Sequence, residues 1–213
     1  MQEHHTYVFR GLMKMHYISN KRQALEYIRG IRKEILCMFL LFLISMVIGY
    51  TTATLYPDMV IRSLEELEGL VELLKNLSMV EIMFIIFLNN ALKSLLILVL
   101  GIGFGIVPLL FIAYNGYFLG IFSYKIIMEQ GFFYLVAGLL PHGIIEIPMV
   151  ILSAAIGLNL GLKGAAFLKG RSVSLKKEII TGVKFFFYWI MPLLFIAAAV
   201  ETFITSAIIG LLS

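Results

Sequence analysis

The sequence predicts an all-α, polytopic membrane protein built as a bundle of about five transmembrane helices. Hydrophobic residues make up 61% of the chain and charged residues only 14%, with a mean hydropathy of +0.97, whereas a soluble domain is roughly 45–50% apolar. Several apolar runs reach about twenty residues, which is the length that a helix needs to cross a bilayer. A chain of 213 residues has no room for a separate soluble catalytic domain beside such a bundle.

The first elements are a basic segment and one long apolar run. Residues 1–34 are polar and basic, so we expect a cytoplasmic N-terminal segment and no cleavable signal peptide. The transmembrane domain is predicted over residues 35–211, beginning with span one at Ile35–Tyr56, which carries no charge. Cys37 is the only cysteine, which excludes an intramolecular disulfide.

Residues 57–78 predict an acidic amphipathic helix outside the membrane. Apolar side chains recur at steps of three and four while carboxylates occupy the other face. Such a helix either lies flat on the outer leaflet or provides a docking site for a protein partner. The apolar positions are Val60, Leu64, Leu67, Val71 and Leu74, and the acidic ones are Asp58, Glu65, Glu66, Glu68 and Glu72.

Spans two and three are separated by glycines. Span two, Val80–Leu100, carries a polar stripe and ends at the cluster Gly101–Gly105, which predicts a break in the helix. Span three, Val107–Met128, contains the small residues Gly116 and Gly120. A small-residue face on spans three and four would suit a homodimer contact. The polar residues of span two are Glu81, Asn89, Asn90 and Lys93.

Span four is too long for one straight crossing. It runs from Phe132 to Leu160 and contains Pro141 and Pro148, so we expect a broken helix near Pro141–Gly143. Residues 161–184 are predicted to form a basic cytoplasmic loop, and span five follows at Phe185–Leu211.

The basic residues predict the orientation. Lysine and arginine are concentrated before span one and in the loop 161–184, which places both segments in the cytoplasm. Five spans satisfy that arrangement and predict a multi-pass protein of the cell membrane with a cytoplasmic N-terminus. The net charge of +4 then reflects anchoring beside anionic headgroups, and without a recognition motif we expect no nucleic-acid partner.

His142 and Glu146 form the most informative pair in the chain. They lie four residues apart, hence on one helical face, inside an otherwise apolar run. Ionisable groups at membrane depth are costly and usually have a partner. Three hypotheses follow: a structural hydrogen-bonded pair; a divalent-cation site that adds Glu201 and suits zinc, iron or manganese; or proton and ion translocation through Glu146 and Glu201. Lys93 is a competing partner for either carboxylate.

The asparagines complete a predicted polar cluster. Their amides can satisfy backbone groups freed at helix breaks or hold a carboxylate. The sequence contains no HExxH zinc-protease motif and no evident nucleophile, which favours a non-enzymatic role and no catalytic residue. The cluster comprises Asn89, Asn90, Lys93, Asn115, His142, Glu146 and Glu201.

Several short elements together resemble the stage II sporulation protein M family, over residues 35–211. They are Asn89-Asn90, Phe104-Gly105 with Pro108, Asn115-Gly116 with Gly120, Leu140-Pro141-His142-Gly143-Ile144 with Glu146, and Ala199-Val200-Glu201. The resemblance implies a helical protein of about five or more spans. It also implies a membrane scaffold, since the namesake works with the peptidoglycan-degrading sporulation proteins D and P during engulfment. A transporter or channel is the alternative, followed by an intramembrane metalloprotein.

Overall fold

The computed structural model describes residues 20–57 and 77–212, and within those residues every regular element is a helix. Five of the helices, α2 to α6, are long and apolar enough to cross a membrane. The predicted all-α bundle with five spans is therefore confirmed. The helices are α1 (Lys21–Gly30), α2 (Arg32–Leu55), α3 (Met79–Leu100), α4 (Ile106–Gln130), α5 (Phe132–Leu168) and α6 (Leu175–Leu212).

Two predicted segments lie largely outside the described residues. They are the N-terminal part of the basic segment, residues 1–19, and residues 58–76 of the acidic amphipathic helix predicted at 57–78. The described remainder of the basic segment forms α1 and the first turn of α2. α1 begins where the Asn20 side chain accepts a hydrogen bond from the backbone N–H of Arg22 at 3.2 Å, an ordinary N-cap.

α3 has a defined start and a glycine-rich end. At its start, Ser78 and Glu81 form a capping box in which the Ser78 N–H donates to Glu81 Oε2 at 2.7 Å. Glu81 is therefore a cap at the helix end. After Leu100 the chain turns through Gly101–Gly105, where Gly105 adopts φ +74° before α4 begins. The predicted break between spans two and three is confirmed.

The glycines of spans three and four are used inside this chain. A Cβ on Gly116 would lie 2.5 Å from the carbonyl oxygen of Phe42, and one on Gly120 would collide with the backbone of α2. Gly161 of α5 faces the turn Gly101–Gly105 in the same way, and Gly157 faces the end of α3 at Ile97. These glycine faces pack within the chain, and the homodimer contact expected on spans three and four stays a prediction.

α5 is continuous, so the predicted break at Pro141–Gly143 is wrong. The helix extends over 37 residues with Pro141 and Pro148 in its interior. A proline removes one backbone hydrogen bond, which membrane helices tolerate where neighbouring protein covers the freed carbonyl. At about 1.5 Å per residue, α5 spans about 55 Å, well beyond the hydrocarbon thickness.

The basic connection after span four is also shorter than predicted. Helix occupies residues 161–168 and 175–184 of the predicted loop, so only 169–174 connect α5 to α6. Most of the basic side chains lie on helical turns and only Lys169 and Arg171 lie in the connection, because a helix does not need to stop where it becomes charged. α6 itself contains two π-helical turns, at Phe186–Ile190 and Val200–Thr205.

Candidate functional site

Three ionisable side chains from two helices meet inside the bundle. His142 and Glu146 are one turn apart on α5, and Glu201 reaches them from α6. One ligand atom from each residue can be chosen so that all three lie within 4.8 Å of one another, and each side chain is partly buried. Sequence positions more than fifty residues apart therefore contribute to one locus.

The locus lies inside the bundle, nearer to one end of α5 and α6 than to the other. His142 is ten residues after the start of α5, about 15 Å along its axis, and Glu201 is a similar distance from the end of α6. The start of α5 and the end of α6 lie side by side, since a Cβ on Gly138 would contact Ile209 Cδ1 at 3.4 Å. The cluster is therefore about half a membrane thickness from the nearer surface of the bundle.

A π-helical turn carries Glu201. The segment Val200–Thr205 contains one extra residue per turn compared with an α-helix. π turns are rare and are often found at functional sites, because the extra residue re-aims side chains. Here Glu201 and Thr205, four residues apart, both face α5.

Thr205 orients the histidine ring. His142 Nδ1 lies 3.4 Å from Thr205 Oγ1, and Thr205 is buried. When Nδ1–H donates to that hydroxyl, Nε2 carries the free lone pair. Histidines that bind metals are usually held in this way, with the second ring nitrogen bonded to the protein. The sequence did not indicate Thr205, because the π turn that brings it beside His142 has no sequence signature.

A cavity of about 270 Å³ borders the cluster between α2, α4 and α5. Three polar side chains line it, those of Asn115, His142 and Glu146, and the remaining wall is apolar and aromatic. Asn115 donates from Nδ2 to the carbonyl oxygen of Phe111 at 2.8 Å, which leaves its Oδ1 as an acceptor at the cavity. The cavity provides room for a ligand beside the carboxylate and imidazole groups.

The other predicted cluster residues are not among the three that share the locus. Lys93 is exposed and close enough to Glu146 for electrostatic attraction, but in the described residues it forms no salt bridge with it. Asn89 donates to Asn90 Oδ1 at 3.3 Å, so these two amides bond to each other. The predicted group of seven thus contains a core of three, with Asn115 at the cavity wall.

The core is a chemically suitable cation site. Two carboxylates at membrane depth repel each other and are poorly solvated, and a divalent cation would neutralise both. Ligand atoms around a tetrahedral cation are about 3.4 Å apart when each bond is roughly 2.1 Å. Bringing the three ligand atoms from 4.8 Å to this separation requires only small side-chain rotations. The imidazole and two carboxylates fit zinc, iron or manganese.

Two further polar contacts, which the sequence did not indicate, join the other end of α5 to α6 and to α2. Lys163 forms a 2.6 Å salt bridge with Glu178 of α6, and Asn159 donates to Glu34 of α2 at 3.3 Å. Each of these side chains already has a protein partner. Both contacts are therefore structural.

Comparison with known proteins gives a family and a relative. The model of the family described as Stage II sporulation protein M matches residues 38–206. Over 159 residues the chain is 31% identical to the uncharacterized protein MJ0706 of Methanocaldococcus jannaschii, which covers 72% of this chain and 71% of that protein. No solved structure matches. The family match includes His142, Glu146 and Glu201.

Proposed function

The chain belongs to the stage II sporulation protein M family, and we propose that this multi-pass membrane protein binds a divalent cation between α5 and α6. The ligands are His142, Glu146 and Glu201, and the cation is zinc, iron or manganese. The observation that carries the proposal is the placement of three ligand atoms within 4.8 Å of one another inside the membrane-spanning bundle. The π turn at Glu201 and the Thr205 contact to His142 support it independently.

The number of protein ligands indicates the kind of site. Structural zinc sites are closed by four protein ligands, whereas sites with three keep a position for water or another ligand. The adjoining cavity is where such a ligand would enter. The cation also joins α5 to α6, so it stabilises the packing of these two helices.

Family membership favours a second role, as a membrane scaffold. In that role the cation would fix the bundle on which partner proteins assemble, with residues 57–78 as the predicted contact. We also propose, from the basic residues, that the N-terminus and residues 169–174 face the cytoplasm of a cell membrane. Cross-linking intact cells and recovering the full chain tests the scaffold: a reproducible partner lost on deleting 58–76 supports it, and no partner contradicts it.

The cation is tested by elemental analysis of the full chain purified in detergent. We expect close to one equivalent of zinc, iron or manganese in the wild type and background levels in His142→Ala and Glu201→Gln. Glu81→Gln is the matched control, because it neutralises a carboxylate outside the cluster and should keep the cation. Wild-type protein that remains metal-free after incubation with each of the three ions would overturn the proposal.

Folding of the variants is checked in the same samples. Adding the cation back to wild-type protein stripped of metal should raise its unfolding temperature, because a ligand that binds only the folded state stabilises it. The variants should unfold cooperatively without that shift. Translocation, the rival function, predicts cation or proton flux in liposomes that Glu146→Gln and Glu201→Gln abolish; flux equal to that of protein-free liposomes rejects it.

A further inference from the structure

We propose that the cavity beside the cluster, together with an adjoining apolar groove, binds a long-chain alcohol whose hydroxyl group lies at Asn115, His142 and Glu146. This inference rests on the proposed cation site, since it names the ligand that would occupy the open position there. Three features of the structure support it: the shape of the cavity and the groove, an otherwise unexplained glycine, and the polarity of the cavity wall.

The shape is that of a head site with a tail groove. The polar cavity lies between α2, α4 and α5, with Phe118 at the centre of α4 on its wall. A shallow apolar groove on the face of α5, lined by residues of that helix alone, adjoins the cavity and shares Leu139, Gly143 and Ile147 with it. Its wall is apolar, and Leu140 and Ile144 are 53% and 63% exposed. In a membrane this groove opens to the acyl chains of the bilayer.

Gly143 separates the cavity from the groove and is not required by helix packing. A Cβ there would meet nothing closer than 3.5 Å, in contrast to Gly116, where it would lie 2.5 Å from a backbone oxygen. Glycine inside a helix costs about 1 kcal/mol relative to alanine. Because backbone contact does not explain Gly143, we assign its function to the space it leaves between the cavity and the groove.

The polarity of the wall selects the head group. With a divalent cation and two carboxylates the cluster is electrically neutral, so an anionic head would have to be brought to mid-membrane without compensation. A hydroxyl is uncharged, and its oxygen can bind a cation. It can also donate to Asn115 Oδ1, whose own amide hydrogen already bonds to Phe111. A carbonyl could not donate that hydrogen bond.

The test uses photolabelling with hexadecanol that carries a diazirine and an alkyne tag, on the full chain in detergent. We expect saturable labelling of peptides from α4 and α5, competed by unlabelled hexadecanol and not by palmitate or hexadecane, which share the chain but differ in the head. Gly143→Leu should reduce labelling at least tenfold by filling the space between the cavity and the groove. Gly210→Leu, in α6 and lining neither the cavity nor the groove, should label as the wild type does, because a Cβ there would meet none of the described residues within 4 Å.

Cation content measured in the same samples separates the two proposals. Loss of labelling in Gly143→Leu with the cation retained supports the alcohol site. Saturable labelling of a wild type that contains no cation would overturn the proposed cation function and leave the alcohol site standing. Equal competition by palmitate or hexadecane, or undiminished labelling of Gly143→Leu, would overturn the alcohol site.

Discussion

The α2–α4 and α5–α6 interfaces solve the problem of helix association in different ways. α2 and α4 meet through glycines that bring their backbones into direct contact, and the centre of this interface contains neither histidine nor carboxylate. α5 and α6 instead place a histidine and two carboxylates opposite one another. Lipid provides no hydrophobic drive between helices, so close packing alone can hold the first pair. The second pair contains groups that packing does not need, which is why we propose it as the functional interface.

The largest effect on stability is expected at the α2–α4 interface. Gly120→Leu would force the α2 and α4 backbones apart, because even a Cβ there collides with the backbone at Met46. Overpacking of this kind costs about 3 kcal/mol or more when the colliding atoms are backbone. The measurement is the unfolding temperature and the yield of monodisperse protein. Gly30→Leu, where a Cβ would meet nothing within 4 Å, should behave as the wild type.

A smaller effect is expected beside the cluster. Thr205→Val removes the hydroxyl that orients His142 and should weaken cation affinity about 10–100-fold, as loss of such supporting contacts does at other metal sites. Thr202→Val is the matched control, since the buried Thr202 hydroxyl has no hydrogen-bond partner among the described residues. Competitive titration with a metal indicator measures both. Equal affinities in the two variants would show that Thr205 does not hold the ring.

The smallest effect concerns pH and lies outside the spans. Burial raises the pKa of Tyr27 in α1, and the nearby Glu178 carboxylate raises it further. Because the folded-state pKa is above the unfolded value of about 10, the stabilisation is complete below that pH and is lost as the pH rises above it. Tyr27→Phe keeps the ring against Phe185 and should lose less stability than the wild type between pH values of about 9 and 11. Parallel stability curves would contradict this prediction.

The sequence could predict those features that depend on local pattern alone. The spans were predictable because apolar length reports membrane crossing directly, and Gly101–Gly105 because clustered glycines rarely continue a helix. His142 and Glu146 share a face by spacing alone. Their meeting with Glu201 was a hypothesis, since no local pattern fixes which helices pack together.

The errors arose where tertiary contacts override local patterns. Pro141 was expected to break α5, but neighbouring helices allow the helix to continue. The glycines of spans three and four pack against helices of the same chain, which spacing alone cannot distinguish from contacts with another copy. The π turns of α6 have no sequence signature, so Thr205 could not be placed beside His142 in advance.

X-ray absorption spectroscopy at the edge of the bound metal tests the central claim most directly, because it reports the atoms that surround the cation. For the wild type we predict a first shell of nitrogen and oxygen with the outer-shell scattering of one imidazole, and loss of that imidazole signal in His142→Ala. A metal bound without imidazole scattering, or an imidazole signal that persists in His142→Ala, would contradict the assignment of His142, Glu146 and Glu201 as a cation site.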